Sequence, residues 1–139
     1  MAGVNAELRP LRMTYPPEAA DIGAADAPLG QVLFRSWVLL FGVLPIDRHA
    51  LALTAVNPGE GFQEDSTTWL QRYWRHERRL TPIPGGCRVT DRLEFEPRVA
   101  TFAPVVKRVA GWVFARRHRY LRARFGTAAM PPKAIRALS

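Results

Sequence analysis

The sequence predicts a single α+β domain in which an antiparallel β-sheet is closed by one long C-terminal helix. Three observations carry that prediction. Apolar and polar residues alternate with period two in segments between His49 and Phe95. Pro58-Gly59-Glu60-Gly61 and Pro82-Ile83-Pro84-Gly85-Gly86 are turn signatures that cut this region into antiparallel pieces. From Ala103 to Gly126 the apolar period changes to that of a helix.

The elements follow in order. Residues 1–30 contain Pro10, Pro16, Pro17 and Pro28 and the run AADIGAADAPLG, so an irregular N-terminal segment with at most one helical turn is expected. VLFRSWVLLFGVLPI is β-branched and aromatic between Gly30 and Pro45, and reads as one or two strands. His49–Asn57 alternates and runs into the first turn. Phe62–Leu80 exceeds an ordinary strand, so a break is expected near Thr67–Leu70. Beyond the second turn Cys87, Val89, Asp91, Leu93 and Phe95 alternate with charged or polar neighbours until Pro97. That predicts a β-hairpin with Cys87 as a small buried hydrophobe.

Over Ala103–Gly126 the residues Trp112, Val105, Val109, Tyr120, Val113 and Val106 fall within one arc, predicting a core-facing stripe. Pro104 suits a first turn, the last turns are cationic, and Gly126 stands at the cap position. The expected domain therefore spans residues 31–126, followed by a flexible tail at 127–139.

Composition narrows the function. A net charge of +8 points to anionic partners. One cysteine excludes an internal disulfide, and residues 1–30 show no basic start followed by an apolar stretch, so a cytoplasmic location is expected. The longest apolar run, Trp37–Ile46, is too short for a membrane span. His49, His76, His118 and Cys87 have no zinc-like spacing, and no nucleophile elbow or Cys–His pairing is recognisable. Neither a metal nor another cofactor is called for, and no catalytic residue is assigned.

The helix carries Lys107, Arg108, Arg116, Arg117, Arg119, Arg122 and Arg124 with no acidic residue between Ala103 and Gly126. Such a face attracts phosphate. Its apolar arc, however, predicts packing on the sheet, and no RNA-binding aromatic motif is present, so nucleic acid is the weaker reading. Buried polarity is more informative. Asp91 shares a face with Val89, Leu93 and Phe95, while Trp74, His76 and Arg78 share a face of the preceding strand. A buried carboxylate needs a partner, and His76 or an arginine is the expected one. Arg116 lies inside the helix's apolar arc, where it could meet a ligand carboxylate or phosphate. The same residues would equally serve as a purely structural polar network.

Trp74-Arg75-His76, then Gly85-Gly86 through Asp91 to Pro97, then Phe114-Ala115-Arg116-Arg117-His118 resemble the motifs of the START-like SRPBCC superfamily. That resemblance covers residues 30–126 and implies a helix-grip fold, a curved antiparallel sheet gripping the C-terminal helix. Set against that fold, the opening strand and helix are not recognisable in residues 1–30. The expectation is an N-terminally abbreviated version, or a chain that begins late. The abbreviated case leaves Cys87–Glu96 as an exposed sheet edge through which a homodimer could form.

The resemblance implies a cavity between sheet and helix holding a small hydrophobic, optionally anionic, molecule, with Trp74, His76, Asp91, Trp112 and Arg116 as ligand-binding candidates. Carriage without catalysis is the leading reading. A cyclase- or dehydratase-like enzyme using His76 and Asp91 is the alternative, and binding of nucleic acid or an anionic surface through the arginine-rich helix is the third.

Overall fold

A computed structural model describes residues 2–17, 19 and 28–127. The chain forms α1 (Ala2–Leu8), β1 (Leu11–Met13), β2 (Val32–Leu40), β3 (Leu44–Asn57), β4 (Gly61–Thr68), β5 (Gln71–Ile83), β6 (Gly86–Pro97) and α2 (Ala103–Phe125). A single 3₁₀ turn at Ala100–Phe102 leads into α2. The strands form one antiparallel meander in the order β1 to β6, each pairing with its neighbours in sequence. The predicted class therefore holds: a curled antiparallel sheet with one long C-terminal helix, in a helix-grip-like arrangement.

The expected break falls at Trp69–Leu70, between β4 and β5. The second turn is a tight hairpin in which Ile83 pairs with Gly86. Register shifts within the β2–β3, β3–β4 and β5–β6 pairs help the sheet to curl. At the β3–β4 turn, Gly61 has φ +144° and presses against the Arg78 carbonyl, an approach that leaves no room for a Cβ.

Three expectations need correction. The N-terminal segment is not irregular throughout, because α1 and β1 lie within it. The Asn5 side chain donates to the Met13 carbonyl at 3.1 Å and accepts from the Met13 amide at 2.9 Å, so one amide group ties helix to strand. β1 then adds to β2 with Leu11 opposite Leu40. These are tertiary contacts, which local composition does not register. The expectations for residues 20–27 and for the tail at 128–139 lie outside the described residues.

Cys87 is exposed rather than buried. Pairing of β5 with β4 ends at Arg79, opposite Gly61, so the hairpin beyond Leu80 overhangs the rest of the sheet. Its tip residues Gly85, Gly86, Cys87 and Arg88 are exposed.

The inward face of α2 is also rotated from the predicted stripe. Val113 and Arg117 are its buried residues, whereas Val105, Val109 and Trp112 are 58 %, 47 % and 46 % exposed and Arg116 faces solvent. The reason is the surface on which the helix rests. Among the described residues the buried side chains include only a few apolar ones, chiefly Leu53 and Val113. The buried polar set comprises Ser36, His49, Glu64, Ser66, Thr68, Gln71, His76 and Arg117. A helix that lies on a polar floor turns polar residues inward. Arg117 accordingly meets Glu7 of α1 at 2.5 Å, closing α1 onto α2. No helix among the described residues is long and apolar enough to cross a membrane. Among the described residues β6 pairs only with β5 and forms one edge of the sheet, as β1 forms the other.

Candidate functional site

Two features stand out, and they are separate. The first is a polar chain on the inner face of the sheet. Strand alternation puts Glu64 and Ser66 of β4 on this face, with His76 and Arg78 of β5 and Asp91 of β6 beside them. Glu64 lies directly opposite His76, and Arg78 directly opposite Asp91, while His76 reaches Asp91 diagonally. The contacts form a continuous run. His49 Nε2 lies 2.5 Å from Glu64 Oε1, which also accepts from Ser66 Oγ at 2.7 Å. His76 Nδ1 lies 3.7 Å from Glu64 Oε2, and its Nε2 lies 2.8 Å from Asp91 Oδ1. Arg78 donates to Asp91 from Nε at 2.8 Å and from Nη2 at 3.0 Å, and His118 Nε2 of α2 closes the run on Asp91 Oδ2 at 2.8 Å. All three histidines of the chain belong to it.

The electrostatics match this geometry. Burial opposes ionisation of Glu64, but His49, His76 and Ser66 outweigh it and pull its carboxyl down to about 2. Burial likewise opposes ionisation of Asp91, yet His76 and Arg78 hold its carboxyl well below the usual carboxylate range. Burial disfavours protonated His76, but Asp91 and Glu64 on either side raise its pKa on balance. The side chains of His76 and Asp91 are only 5 % and 4 % exposed. Edge-on contacts of the His76 ring with Phe62 and Phe114, each at 5.1 Å between centroids, seal it further. Each ring nitrogen of His76 faces a carboxylate, so neither is free for a substrate. The arrangement fixes strands and helix to one another. Among the described residues no group of His, Cys, Asp and Glu is placed to hold a metal ion.

The second feature is an open cleft of about 880 Å³ between the N-terminal elements and α2. Arg9 and Arg12 line it from the α1–β1 region, Phe41 and Gly42 from the β2–β3 turn, and Trp112 and Arg116 from α2. Pro10 and Leu11 add apolar wall, and among the described residues no carboxylate lines it. Three guanidinium groups beside two aromatic rings make a site suited to a molecule with an apolar body and an anionic head. A smaller hollow on the outer face of the sheet, about 430 Å³, is lined by Asp65, Arg75, Glu77, Arg92 and Glu94. Its charges already pair, Arg75 with Asp65 at 3.0 Å and Arg92 with Glu94 at 2.7 Å.

The five sequence-derived candidates are thus distributed over three places. His76 and Asp91 meet in the polar run. Trp112 and Arg116 meet at the cleft. Trp74 touches neither and stacks on Phe95 at 5.9 Å. His49, Glu64, Ser66 and His118 escaped sequence reasoning, as did Arg9 and Arg12. Glu64 and Ser66 alternate within Gly61–Thr68, but that strand carries almost no apolar residue to reveal which face turns inward.

The family model for a domain of unknown function, DUF8410, matches residues 1–125. The chain belongs to that family. The match includes α1 and β1 with the sheet and α2, so the cleft between them lies wholly within the family's extent. Neither the curated proteins nor the solved structures include a match to the chain.

Proposed function

We propose that the protein binds and carries a small amphipathic anion, such as a long-chain or aromatic carboxylate, in the cleft bounded by Arg9, Arg12, Phe41, Trp112 and Arg116. The observation that carries this reading is the meeting of three arginines with two aromatic side chains in a cleft that no carboxylate lines among the described residues. Arginine forks recognise carboxylate and phosphate in a bidentate way, and the rings supply the apolar contact. The likeness to START-like proteins points toward the same ligand class, although the cleft lies at the N-terminal end of the helix–sheet assembly rather than over the middle of the sheet. Carriage is favoured over acid–base catalysis because His76 is enclosed and engaged by carboxylates on both sides.

Differential scanning fluorimetry with oleate, an aromatic carboxylate and oleyl alcohol tests the proposal. The two acids raise the melting temperature, and the neutral alcohol does so less. Arg116→Gln and Trp112→Ala each diminish the shift given by the acids. No shift with any probe, or an undiminished shift in both variants, refutes it.

A further inference from the structure

The outer face of α2 has a composition that neither the fold nor the cleft explains. Phe102, Val105, Val109 and Trp112 follow one another at helical spacing and are 46–58 % exposed. They form a ridge about 15 Å long at 1.5 Å per residue. Farther along the same side stand Arg116 and Arg119, with Arg108 and Arg122 flanking. None of these four arginines has a carboxylate within 4 Å among the described residues. The charge is also segregated along the chain. All twelve acidic residues lie at or before Glu96, whereas ten of the twenty basic residues lie after it. The net positive charge of the whole protein therefore originates in residues 97–139.

The β2–β3 turn stands beside this ridge, since Phe41 and Trp112 line the same cleft. Phe41 is 74 % exposed and Val43 is 80 % exposed. Phe41 has φ +54° and Gly42 has φ +77°, the left-handed pair that a tight hairpin turn requires. Glycine or asparagine fills the first of these positions with less strain than phenylalanine, so an exposed phenylalanine there is costly for folding alone.

We propose that this side of the molecule, the Val105–Trp112 ridge with the Phe41 turn and the surrounding arginines, docks onto an anionic lipid bilayer. An amphipathic helix that presents aliphatic and tryptophan side chains among arginines lies in the interfacial plane of such a membrane. Duplex nucleic acid would engage the arginines but has no use for a valine ridge, and for that reason the membrane is the partner chosen. The docking surface and the cleft share only Trp112, Arg116 and Phe41. Val105, Val109, Arg119 and Arg122 lie outside the cleft, so they separate this inference from ligand carriage.

The test is co-sedimentation of the full chain with vesicles of phosphatidylcholine alone and of phosphatidylcholine with an equal amount of phosphatidylglycerol. Binding is expected only to the anionic vesicles and weakens with salt. Arg119→Gln/Arg122→Gln lowers the partition coefficient about fivefold for each arginine replaced. Val105→Asp/Val109→Asp abolishes sedimentation while the far-UV circular dichroism and melting temperature stay at wild-type values, because both side chains are solvent-facing. Phe41→Gly lowers vesicle binding and leaves stability equal or higher. Equal binding to both vesicle types overturns the proposal, as does anionic-vesicle binding unchanged in Val105→Asp/Val109→Asp. A protein that ignores vesicles yet retards duplex DNA in a gel, with the double aspartate variant retarding it equally, overturns it in favour of nucleic acid.

Discussion

Replacing Asp91 by asparagine tests whether the polar run holds the fold together. Asp91 takes four contacts of 2.8–3.0 Å, from His76, twice from Arg78, and from His118. Asparagine keeps one carbonyl oxygen, which can serve His76 and Arg78 Nε where Oδ1 stood. Its amide group then faces Arg78 Nη2 as a donor facing a donor, and His118 loses its carboxylate partner. Two hydrogen bonds involving charged groups are lost, at about 1.5–3 kcal/mol each. Removing one partner of a buried ion pair costs about 3–5 kcal/mol in general, so the two routes agree on roughly 3–5 kcal/mol. At this chain length that corresponds to a fall in melting temperature of about 10–15 °C. The assay is thermal and urea unfolding followed by circular dichroism, with Asp65→Asn as the control. Asp65 pairs with Arg75 at 3.0 Å on the outer face, where the side chains are 37 % and 54 % exposed. That exposed pair is screened by solvent and contributes far less than a buried one. If Asp91→Asn costs no more than Asp65→Asn, the run does not hold strands and helix together and the account given for the inner face is wrong.

Stability should peak in mildly acidic solution. Glu64 and Asp91 titrate lower in the folded chain than in the unfolded one, so their contribution is complete above the ordinary carboxylate range and is lost as pH falls toward about 2. His76 titrates higher when folded, so its contribution is complete below about pH 6.5 and is lost as pH rises through its folded pKa. Melting temperatures across pH 3–9 should therefore be highest between about 4.5 and 6.5, and a curve rising steadily to pH 9 contradicts the assignment. Gly61→Ala should lower stability by more than about 2 kcal/mol, since its Cβ would lie 1.9 Å from the Arg78 carbonyl oxygen. Gly85→Ala, with φ +77° and open space around it, should cost only about 1 kcal/mol in urea denaturation. Cys87, at the overhanging hairpin tip, should react with a thiol reagent in the native protein as fast as in urea, and protection until unfolding would show that the tip is covered.

What was legible in the sequence was whatever local chemistry decides. Alternation fixed the faces of β5 and β6, so the inward turn of Trp74, His76 and Asp91 followed without coordinates, as did the hairpin at Pro84-Gly85. The partner of Asp91 was half legible, because Arg78 and His76 lie on the neighbouring strand while His118 arrives from α2. What depends on distant pairing was not legible. α1 and β1 owe their placement to Asn5 holding Met13 and to Glu7 meeting Arg117, contacts that span up to 110 residues of chain. The cleft needs Arg9 and Arg12 from that same segment, so it was invisible for the same reason.

The rotation of α2 exposes a more general error in reading an amphipathic helix. A wheel assigns the apolar arc to the core because burial of aliphatic side chains is the usual driving force. That inference holds only when the surface beneath the helix is apolar. Here α2 packs against Asp91 of the sheet and Glu7 of α1, so His118 and Arg117 are the side chains that gain most from turning inward. Each finds a carboxylate, Arg117 that of Glu7 and His118 that of Asp91. The aliphatic arc is displaced outward as a consequence, since one helix cannot present both faces to one sheet. Val105, Val109 and Trp112 thus stand in solvent because of Asp91 and Glu7, two residues far from them in sequence. That displacement leaves Val105, Val109 and Trp112 exposed beside Arg108, Arg116, Arg119 and Arg122, and the proposed membrane docking rests on this arrangement.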